Sequence, residues 1–120
     1  MHSSTPTKSN SANRYQRIWD IVAQIPYGKV SSYGQIAELA GQARAARFVS
    51  RALTAAPENL QLPWHRVISA NGQIAFKKNA SAYKKQRDLL RGEGIVVNAG
   101  KVHMQTFRWQ PSMDERLWRL

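Results

Sequence analysis

The sequence predicts one mainly α-helical domain with short β-hairpins, organised around a helix-turn-helix. Three observations predict this class. Apolar residues recur at helical spacing in several segments, a glycine-containing turn joins two of these segments, and short apolar runs further along are interrupted by turns containing asparagine and glycine. The length of 120 residues is typical of one domain.

The beginning of the chain is predicted to be a flexible tail followed by an amphipathic helix. Residues 1–12 are mostly Ser, Thr, Asn and Lys, which bury too little apolar area to offset the entropy lost on ordering. A helix is predicted from Arg14 to Gln24, with Asn13 as its N-cap, because apolar residues follow at helical spacing. Pro26 ends this helix, and Tyr27-Gly28-Lys29 predicts a turn.

Two short helices come next and predict the helix-turn-helix. Ser31 and Ser32 are candidate caps for a helix from Tyr33 to Ala40, and Gly41 suits the position after it. A third helix, from Ala43 to Ala55, combines several arginines with small side chains. This combination is typical of a DNA-binding helix-turn-helix, although two surface helices of an all-α domain fit the same pattern.

The second half of the chain is predicted to contain a turn and a fourth helix. The run from Val67 to Ile74, interrupted by Asn71-Gly72, predicts a short hairpin or a tight turn. A helix is predicted from Ala82 to Arg91, and Gly92 ends it. The residues that this helix is predicted to bury are Tyr83, Gln86, Leu89 and Leu90.

A second hairpin is predicted near the end of the domain. Its strands are Ile95–Val97 and Val102–Phe107, and Asn98-Ala99-Gly100 forms the turn between them. The pattern of the closing residues, 108–120, predicts no element. The domain is therefore predicted to cover residues 13–110, followed by a carboxy-terminal extension, residues 111–120.

The charge of the chain favours a polyanionic partner. Lys and Arg total 18 against 7 acidic residues, which gives a formal net charge of +11. The basic residues are spread along the chain between aromatic residues rather than gathered in one block. This much positive charge on a small domain favours nucleic-acid binding through phosphate contacts and counterion release.

The residue types present limit the chemistry. The chain has no cysteine, which excludes disulfides, thiolate zinc sites and a cysteine nucleophile. His2, His65 and His103 are far apart and show no ligand spacing, so neither a metal site nor a cofactor is predicted. No apolar run approaches the ~20 residues of a membrane span, and we expect a cytoplasmic protein, associated with the nucleoid if it is bacterial.

Four segments of the chain form a set of motifs. They are Ile25–Ala37 (IPYGKVSSYGQIA), Ala45-Ala46-Arg47, Pro63-Trp64-His65-Arg66-Val67 and Arg91-Gly92-Glu93-Gly94. In order and spacing they resemble the DNA-binding domain of the O6-alkylguanine-DNA alkyltransferases, and in detail the alkyltransferase-like proteins, which lack the nucleophile. The resemblance implies a winged-helix-like helix-turn-helix domain, as in the C-terminal domain of those enzymes.

The resemblance also implies residues that contact DNA. Tyr33 corresponds to the tyrosine that presses on a backbone phosphate and rotates the target nucleotide. Arg47 corresponds to the arginine that fills the space left by the flipped base. Ala46 and Ser50 are small enough for close approach in the minor groove, and Ser32 belongs to the same implied surface.

A lesion pocket is implied next to this surface. Trp64 stands where the repair enzymes have their cysteine, and it would line the pocket together with Tyr33. The backbone carbonyl of Val67 would contact the guanine edge. Lys77 matches a variable position at the pocket rim.

The function implied by the resemblance is that of a DNA damage sensor without enzymatic activity. Such a protein binds duplex DNA through the minor groove, flips a guanine alkylated at O6 into the pocket, and flags it for nucleotide excision repair, whose proteins are the implied partners. His65, Arg66 and Glu93 are interpreted as structural supports of the pocket loop, because no nucleophile remains for them to activate. We expect a monomer.

Two other functions fit the residues alone. A helix-turn-helix regulator or architectural protein would bind DNA without lesion specificity, and a hydrolase would act on a flipped base through His65 and Glu93. Phe48 and Arg51 depart from the family pattern on the third helix and bear on how deeply it enters the groove. Asn59 is a candidate hinge residue in a shortened loop.

Overall fold

A computed structural model of the chain describes residues 6–42 and 44–111, and for residues 6–13 it describes the backbone alone. The helices of this part are α1 (Pro6–Val22), α2 (Tyr33–Leu39), α3 (Ala46–Ala55), α4 (Ser81–Gly92) and α5 (Met104–Phe107). The strands are β1 (Ser31–Ser32), β2 (Val67–Ile68), β3 (Val97–Asn98) and β4 (Lys101–Val102). Single 3-10 turns span Glu58–Leu60 and Trp64–Arg66. The predicted class, mainly α with short β elements, is confirmed.

Helix α1 is longer than predicted. It begins at Pro6 and not at Arg14, so residues 6–12, which were predicted to be part of the tail, have helical backbone. Proline is favoured in the first turn of a helix because its φ is already helical and its missing N–H is not needed there. The apolar pattern starts only at Tyr15 and does not reveal the polar first turns. Residues 1–5 lie outside the described residues.

Helix α2 starts at Tyr33 as predicted and ends at Leu39, with Ala40, the predicted last residue, as its C-cap. The Ser32 hydroxyl accepts a hydrogen bond from the Gln35 N–H (3.0 Å) and caps the helix. Gly41 follows with a φ of 79°, and the Gln42 N–H donates to the Ala37 carbonyl (2.7 Å), which closes a Schellman motif.

Helix α3 begins later than predicted. It starts at Ala46 instead of Ala43, which lies outside the described residues. Arg44 has a φ of 69°, in the left-handed region, and a right-handed helix cannot continue through it. The turn of the helix-turn-helix therefore extends from Ala40 to Ala45, the caps of the two helices.

Of the two forms predicted for the run from Val67 to Ile74, a short hairpin or a tight turn, the structure has the tight turn. The Gly72 N–H donates to the Ser69 carbonyl (2.9 Å) and closes the turn. Strand β2 does not pair with the residues after this turn. It pairs in parallel with β1, with Ser31 opposite Val67. A partner this distant in sequence leaves no mark on the local apolar pattern.

The turn of the second predicted hairpin is confirmed, but its second strand is shorter than predicted. Strands β3 and β4 are antiparallel around Ala99 and Gly100, whose positive φ values of 51° and 76° suit a two-residue turn. The predicted strand Val102–Phe107 ends at Val102, because Met104–Phe107 forms α5. After this helical turn the chain runs beside Val30, whose N–H donates to the Phe107 carbonyl (2.9 Å).

Two hydrophobic cores meet at β2. Successive side chains of a strand point to opposite faces, so β2 places Val67 in the first core and Ile68 in the second. Helices α1, α2 and α3 form the first core, with buried residues Ile18, Val22, Ile25, Ile36, Ala37, Ala40, Val49, Ala52 and Trp109. Helix α4 and the β3–β4 hairpin form the second, with Val30, Ile74, Tyr83, Leu90, Ile95, Val97 and Val102.

Three of the four residues that were predicted to be buried on α4 are buried. Tyr83, Gln86 and Leu90 are buried, whereas Leu89 is 39% exposed. Spacings of three and four residues keep the first three on one stripe, and Leu89 lies beside it. Trp109, in the closing residues for which no element was predicted, is buried in the first core. Residues 112–120 of the predicted extension lie outside the described residues.

Among the described helices, none combines the length and the apolar character that crossing a bilayer requires.

We expect Gly72→Ala to destabilise the fold more than Gly41→Ala. Both glycines have a positive φ, 88° and 79°. That conformation costs an alanine about 1–2 kcal/mol. A Cβ on Gly72 would in addition collide with the Val102 carbonyl oxygen, whereas nothing lies within 4 Å of a Cβ on Gly41. Urea unfolding of both variants measures the difference, and equal losses would contradict the close approach of Gly72 to β4.

Candidate nucleic-acid interface

A groove of about 650 Å³ lies between α3 and the chain that leads from Trp64 into α4. Helix α3 contributes Ala46, Arg47, Ser50, Leu53 and Thr54 to its lining. The loop and the first turn of α4 contribute Trp64, Ser69, Ala75, Phe76 and Ala82, and Tyr33 comes from the start of α2. The parallel pairing of β1 with β2 brings these segments together, because α2 follows β1 directly and the 3-10 turn of Trp64 precedes β2.

Most of the residues predicted to contact DNA lie in this one groove. Tyr33, Ala46, Arg47 and Ser50 share its lining with Trp64. These residues come from two helices and a distant loop. A groove lined by small, cationic and aromatic side chains can accept a backbone phosphate, a base and an apolar substituent.

Three predicted site residues lie elsewhere. Ser32 is buried, and its hydroxyl caps α2. The side chain of Val67 is buried in the first core, and its backbone carbonyl accepts a hydrogen bond from Gln86 Nε2 (2.9 Å). Lys77 is exposed beside Phe76 in the chain but does not line the groove. Their contacts with DNA stay predictions.

Tyr33 is half-buried at the end of the groove. Burial raises the pKa of its phenol above the ordinary value of 10.0, so the hydroxyl keeps its proton at neutral pH. A neutral hydroxyl donates a hydrogen bond, which is the contact that a phosphate oxygen accepts. The electrostatics of this position therefore suit the predicted phosphate contact.

Trp64 has an aromatic neighbour that the sequence prediction missed. The Phe76 ring lies edge-on to the Trp64 ring, with centroids 6.3 Å apart and an interplanar angle of 86°. This T-shaped geometry is favoured between aromatic rings. Phe76 is nevertheless 40% exposed, in the loop before α4. A phenylalanine in a polar loop, directly before two lysines, was the available signal.

The carboxylate of Glu93, just after α4, joins separate segments around the Trp64 turn. It accepts hydrogen bonds from Arg66 Nε (3.0 Å to each oxygen), from Arg66 Nη2 (2.7 Å) and from the Gly28 N–H (2.8 Å). His65 Nε2 lies 2.7 Å from Glu93 Oε2. Arg66 Nη1 donates to the Ile25 carbonyl (2.8 Å). The three predicted supports, His65, Arg66 and Glu93, are therefore in direct contact.

The charge state of Glu93 follows from these contacts. Burial raises its pKa, but hydrogen bonds from Arg66, Gly28 and His65 and the positive charge of Arg66 outweigh burial and lower the pKa to about 2. The carboxylate is therefore ionised at neutral pH and already has several donors. A general base needs an accessible lone pair and a pKa near the working pH, so this arrangement does not favour the hydrolase.

Phe48, a departure from the family pattern, packs against α1. Its ring centroid lies 5.0 Å from that of Tyr15, and the Arg14 guanidinium lies over the ring at 4.2 Å. Phe48 therefore fixes α3 to α1 and takes no part in lining the groove. Arg51 and the candidate hinge Asn59 are exposed.

Comparison with known proteins shows the class to which this fold and groove belong. A family model described as the DNA-binding domain of 6-O-methylguanine DNA methyltransferase matches residues 13–95. The chain belongs to this family, and its winged-helix-like helix-turn-helix is the DNA-binding domain of that family.

Within the family, the chain is similar to a base-flipping protein and to an alkyltransferase-like protein. The chain is 44% identical over 95 residues to the DNA base-flipping protein of Escherichia coli K12, a match that covers 78% of this chain and 72% of the relative. It is 34% identical over 102 residues to alkyltransferase-like protein 1 of Schizosaccharomyces pombe, covering 81% of this chain and 94% of the relative.

A solved structure agrees with these relatives. Atl1 of S. pombe, in complex with damaged DNA containing O6-carboxymethylguanine, matches with a TM-score of 0.76 at 33% identity, over 83% of this chain and 97% of that chain. The predicted resemblance to the alkyltransferase-like proteins is confirmed.

We expect Glu93→Gln to lower the free energy of unfolding at pH 7 by about 3–5 kcal/mol, because it leaves the largely buried Arg66 without its counter-charge. The effect depends on pH. Folding lowers the pKa of Glu93 from its ordinary value of 4.5 to about 2, so the stabilisation is complete above pH 4.5 and is lost as the pH falls towards 2.

Urea unfolding between pH 7 and pH 2.5 measures this dependence. The gap between the parent and Glu93→Gln should narrow as the pH falls. Asp88→Asn is the control, since Asp88 is an exposed carboxylate paired with Arg87 at 3.0 Å. A gap that stays constant over this pH range would contradict the role given to the Glu93 charge.

Proposed function

We propose that the protein binds duplex DNA through the minor groove, flips a guanine alkylated at O6 into the groove beside Trp64, and holds it there without repairing it. The observation that carries this proposal is that Arg47, Tyr33 and Trp64 line one groove. Base flipping requires a group that fills the gap left in the base stack and a pocket that receives the flipped base. The names of the E. coli relative and of the S. pombe complex, with base flipping and O6-carboxymethylguanine, support it.

Helix α3 is the element that enters the minor groove in this proposal. Ala46 and Ser50 are small and leave the helix backbone close to the floor of the groove. Arg47 lies between them in the first turn and enters the stack where the base has left. Extrusion of a base costs a few kcal/mol of unstacking, which the Arg47 contacts offset. The Tyr33 hydroxyl donates a hydrogen bond to a phosphate of the rotated nucleotide.

The alkyl group of the flipped base lies against apolar surface. Trp64 and Phe76 supply it as two rings set edge-on. In the proposed complex the Val67 carbonyl accepts a hydrogen bond from the guanine edge, and Lys77, exposed next to Phe76 in the chain, reaches the rim of the pocket. Each buried methylene stabilises the complex by about 0.8 kcal/mol. We therefore expect affinity to rise with the size of the alkyl group.

In this proposal the protein binds the lesion and does not process it further. The chain has no thiol, and an indole at position 64 offers no nucleophile for alkyl transfer. A bound, extruded base is itself a signal, and we propose that nucleotide excision repair proteins read it. The protein acts as a monomer in the cytoplasm, at the nucleoid if it is bacterial.

A comparison of three duplexes tests the proposal. At fixed salt, a duplex with one O6-methylguanine should bind about fourfold tighter than the same duplex with guanine, because one methyl group is buried. A duplex with O6-benzylguanine should bind tighter still. Fluorescence anisotropy with labelled duplexes measures these affinities. Equal affinities for all three duplexes would contradict the proposal and favour a regulator or architectural protein.

The role of Arg47 has a matched control on the same helix. Arg47→Ala should reduce the preference for the O6-methylguanine duplex, because the space in the stack is no longer filled. Arg51→Ala removes the same charge from an exposed position of α3 that does not line the groove, and it should weaken both duplexes alike. If both variants keep the preference of the parent, the assignment of Arg47 fails.

A further inference from the structure

Gln86 is a buried polar residue that the proposed function does not yet use. It lies on the inner face of α4, between Tyr83 and Leu90, and is 1% exposed. Burying an amide among apolar side chains is unfavourable unless its hydrogen bonds are made. A buried glutamine at this position therefore requires a structural explanation.

The Gln86 amide nitrogen holds the backbone on both sides of Arg66. Nε2 donates to the His65 carbonyl and to the Val67 carbonyl, each at 2.9 Å. Both donors of the amide are therefore used on one short stretch of chain. The Oε1 atom, in contrast, is buried with no hydrogen-bond partner in the part of the chain that the structure describes.

These contacts fix the orientation of the Gln86 side-chain amide. Rotating the amide by half a turn would place Oε1 against two carbonyl oxygens, so the two acceptors fix the orientation and leave Oε1 unpaired. An unpaired buried oxygen destabilises the fold. The benefit of Gln86 therefore lies in what its nitrogen holds, the carbonyls of His65 and Val67.

Helix α4 thus holds the Trp64 turn in two ways. Glu93, just after the helix, binds the side chains of His65 and Arg66, while Gln86 binds the backbone. On its other side, Val67 is held by the pairing of β2 with β1. The Val67 carbonyl, the group proposed to meet the guanine edge, has two lone pairs, and Gln86 occupies one of them.

We infer that Gln86 is a positioning residue for lesion selectivity: it fixes the Val67 carbonyl and the Trp64 turn in the geometry that distinguishes an O6-alkylated guanine from guanine. This inference rests on the proposed function. It concerns the difference between two duplexes, since Gln86 itself is buried and lies outside the lining of the groove.

Three variants at this position separate positioning from packing. Gln86→Met keeps the size and apolar stem and removes both donors. Gln86→Lys keeps donors at similar reach and removes the unpaired oxygen, but it adds a buried positive charge. Gln86→Glu keeps the shape and retains at most one donor, the O–H of the protonated acid, in place of two.

We expect Gln86→Met and Gln86→Glu to abolish the preference of about fourfold for the O6-methylguanine duplex over the guanine duplex, because the hydrogen bonds that fix the Val67 carbonyl are lost. Affinity for the guanine duplex should stay near that of the parent. Gln86→Lys should restore the preference. A residue that only fills space would instead be tolerated as Met.

The parent protein gives a second readout, which does not depend on whether a variant folds. The side-chain amide protons of Gln86 should exchange slowly with solvent, and their NMR signals should shift on saturation with the O6-methylguanine duplex but not with the guanine duplex. Unshifted signals, or a Gln86→Met variant with the selectivity of the parent, would overturn the inference. If the parent itself shows no preference between the duplexes, the proposed function fails instead.

Discussion

The carboxylate of Glu93 is the contact on which the geometry of the site depends. It accepts hydrogen bonds from the turn after α1, through Gly28, and from the loop that carries Trp64, through His65 and Arg66. Arg66 in turn donates to Ile25, in the first core. Because the carboxylate belongs to the end of α4, one charge ties both cores to the Trp64 turn. The hydrogen bonds to the Glu93 carboxylate and the positive charge of Arg66 lower its pKa, although burial alone would raise it.

The same contacts explain how a chain without a cysteine keeps an ordered site. In a catalytic network a histidine and a carboxylate activate a thiol, but this chain has none. Here His65 and Glu93 bind one another and Arg66, and these bonds hold the turn that presents Trp64. Trp64 and Phe76 add an aromatic corner to the groove that α3 lines with Arg47. The arrangement is suited to holding a base, and its order comes from α4.

Much of this arrangement could be predicted from the sequence, and the reason lies in local signals. Ser32 and Gly41 mark the ends of α2, and Asn98-Ala99-Gly100 marks the β3–β4 turn, since caps and turns act over a few residues. The motif around Trp64 and its likeness to the alkyltransferase-like proteins located the site. The pairing of β1 with β2 could not be predicted, because the two strands are far apart in the chain. The start of α1 at Pro6 was hidden by polar residues, and Phe76 by its place in a loop.

The central claim is that the modified base leaves the helix, and fluorescence of its partner base tests this most directly. A fluorescent cytosine analogue placed opposite O6-methylguanine is quenched while it is stacked in the duplex. Flipping removes its partner, so we expect its fluorescence to rise along the same saturation curve as binding measured by anisotropy. The analogue opposite guanine should change little. Saturated binding of the O6-methylguanine duplex without any change in fluorescence would contradict the account.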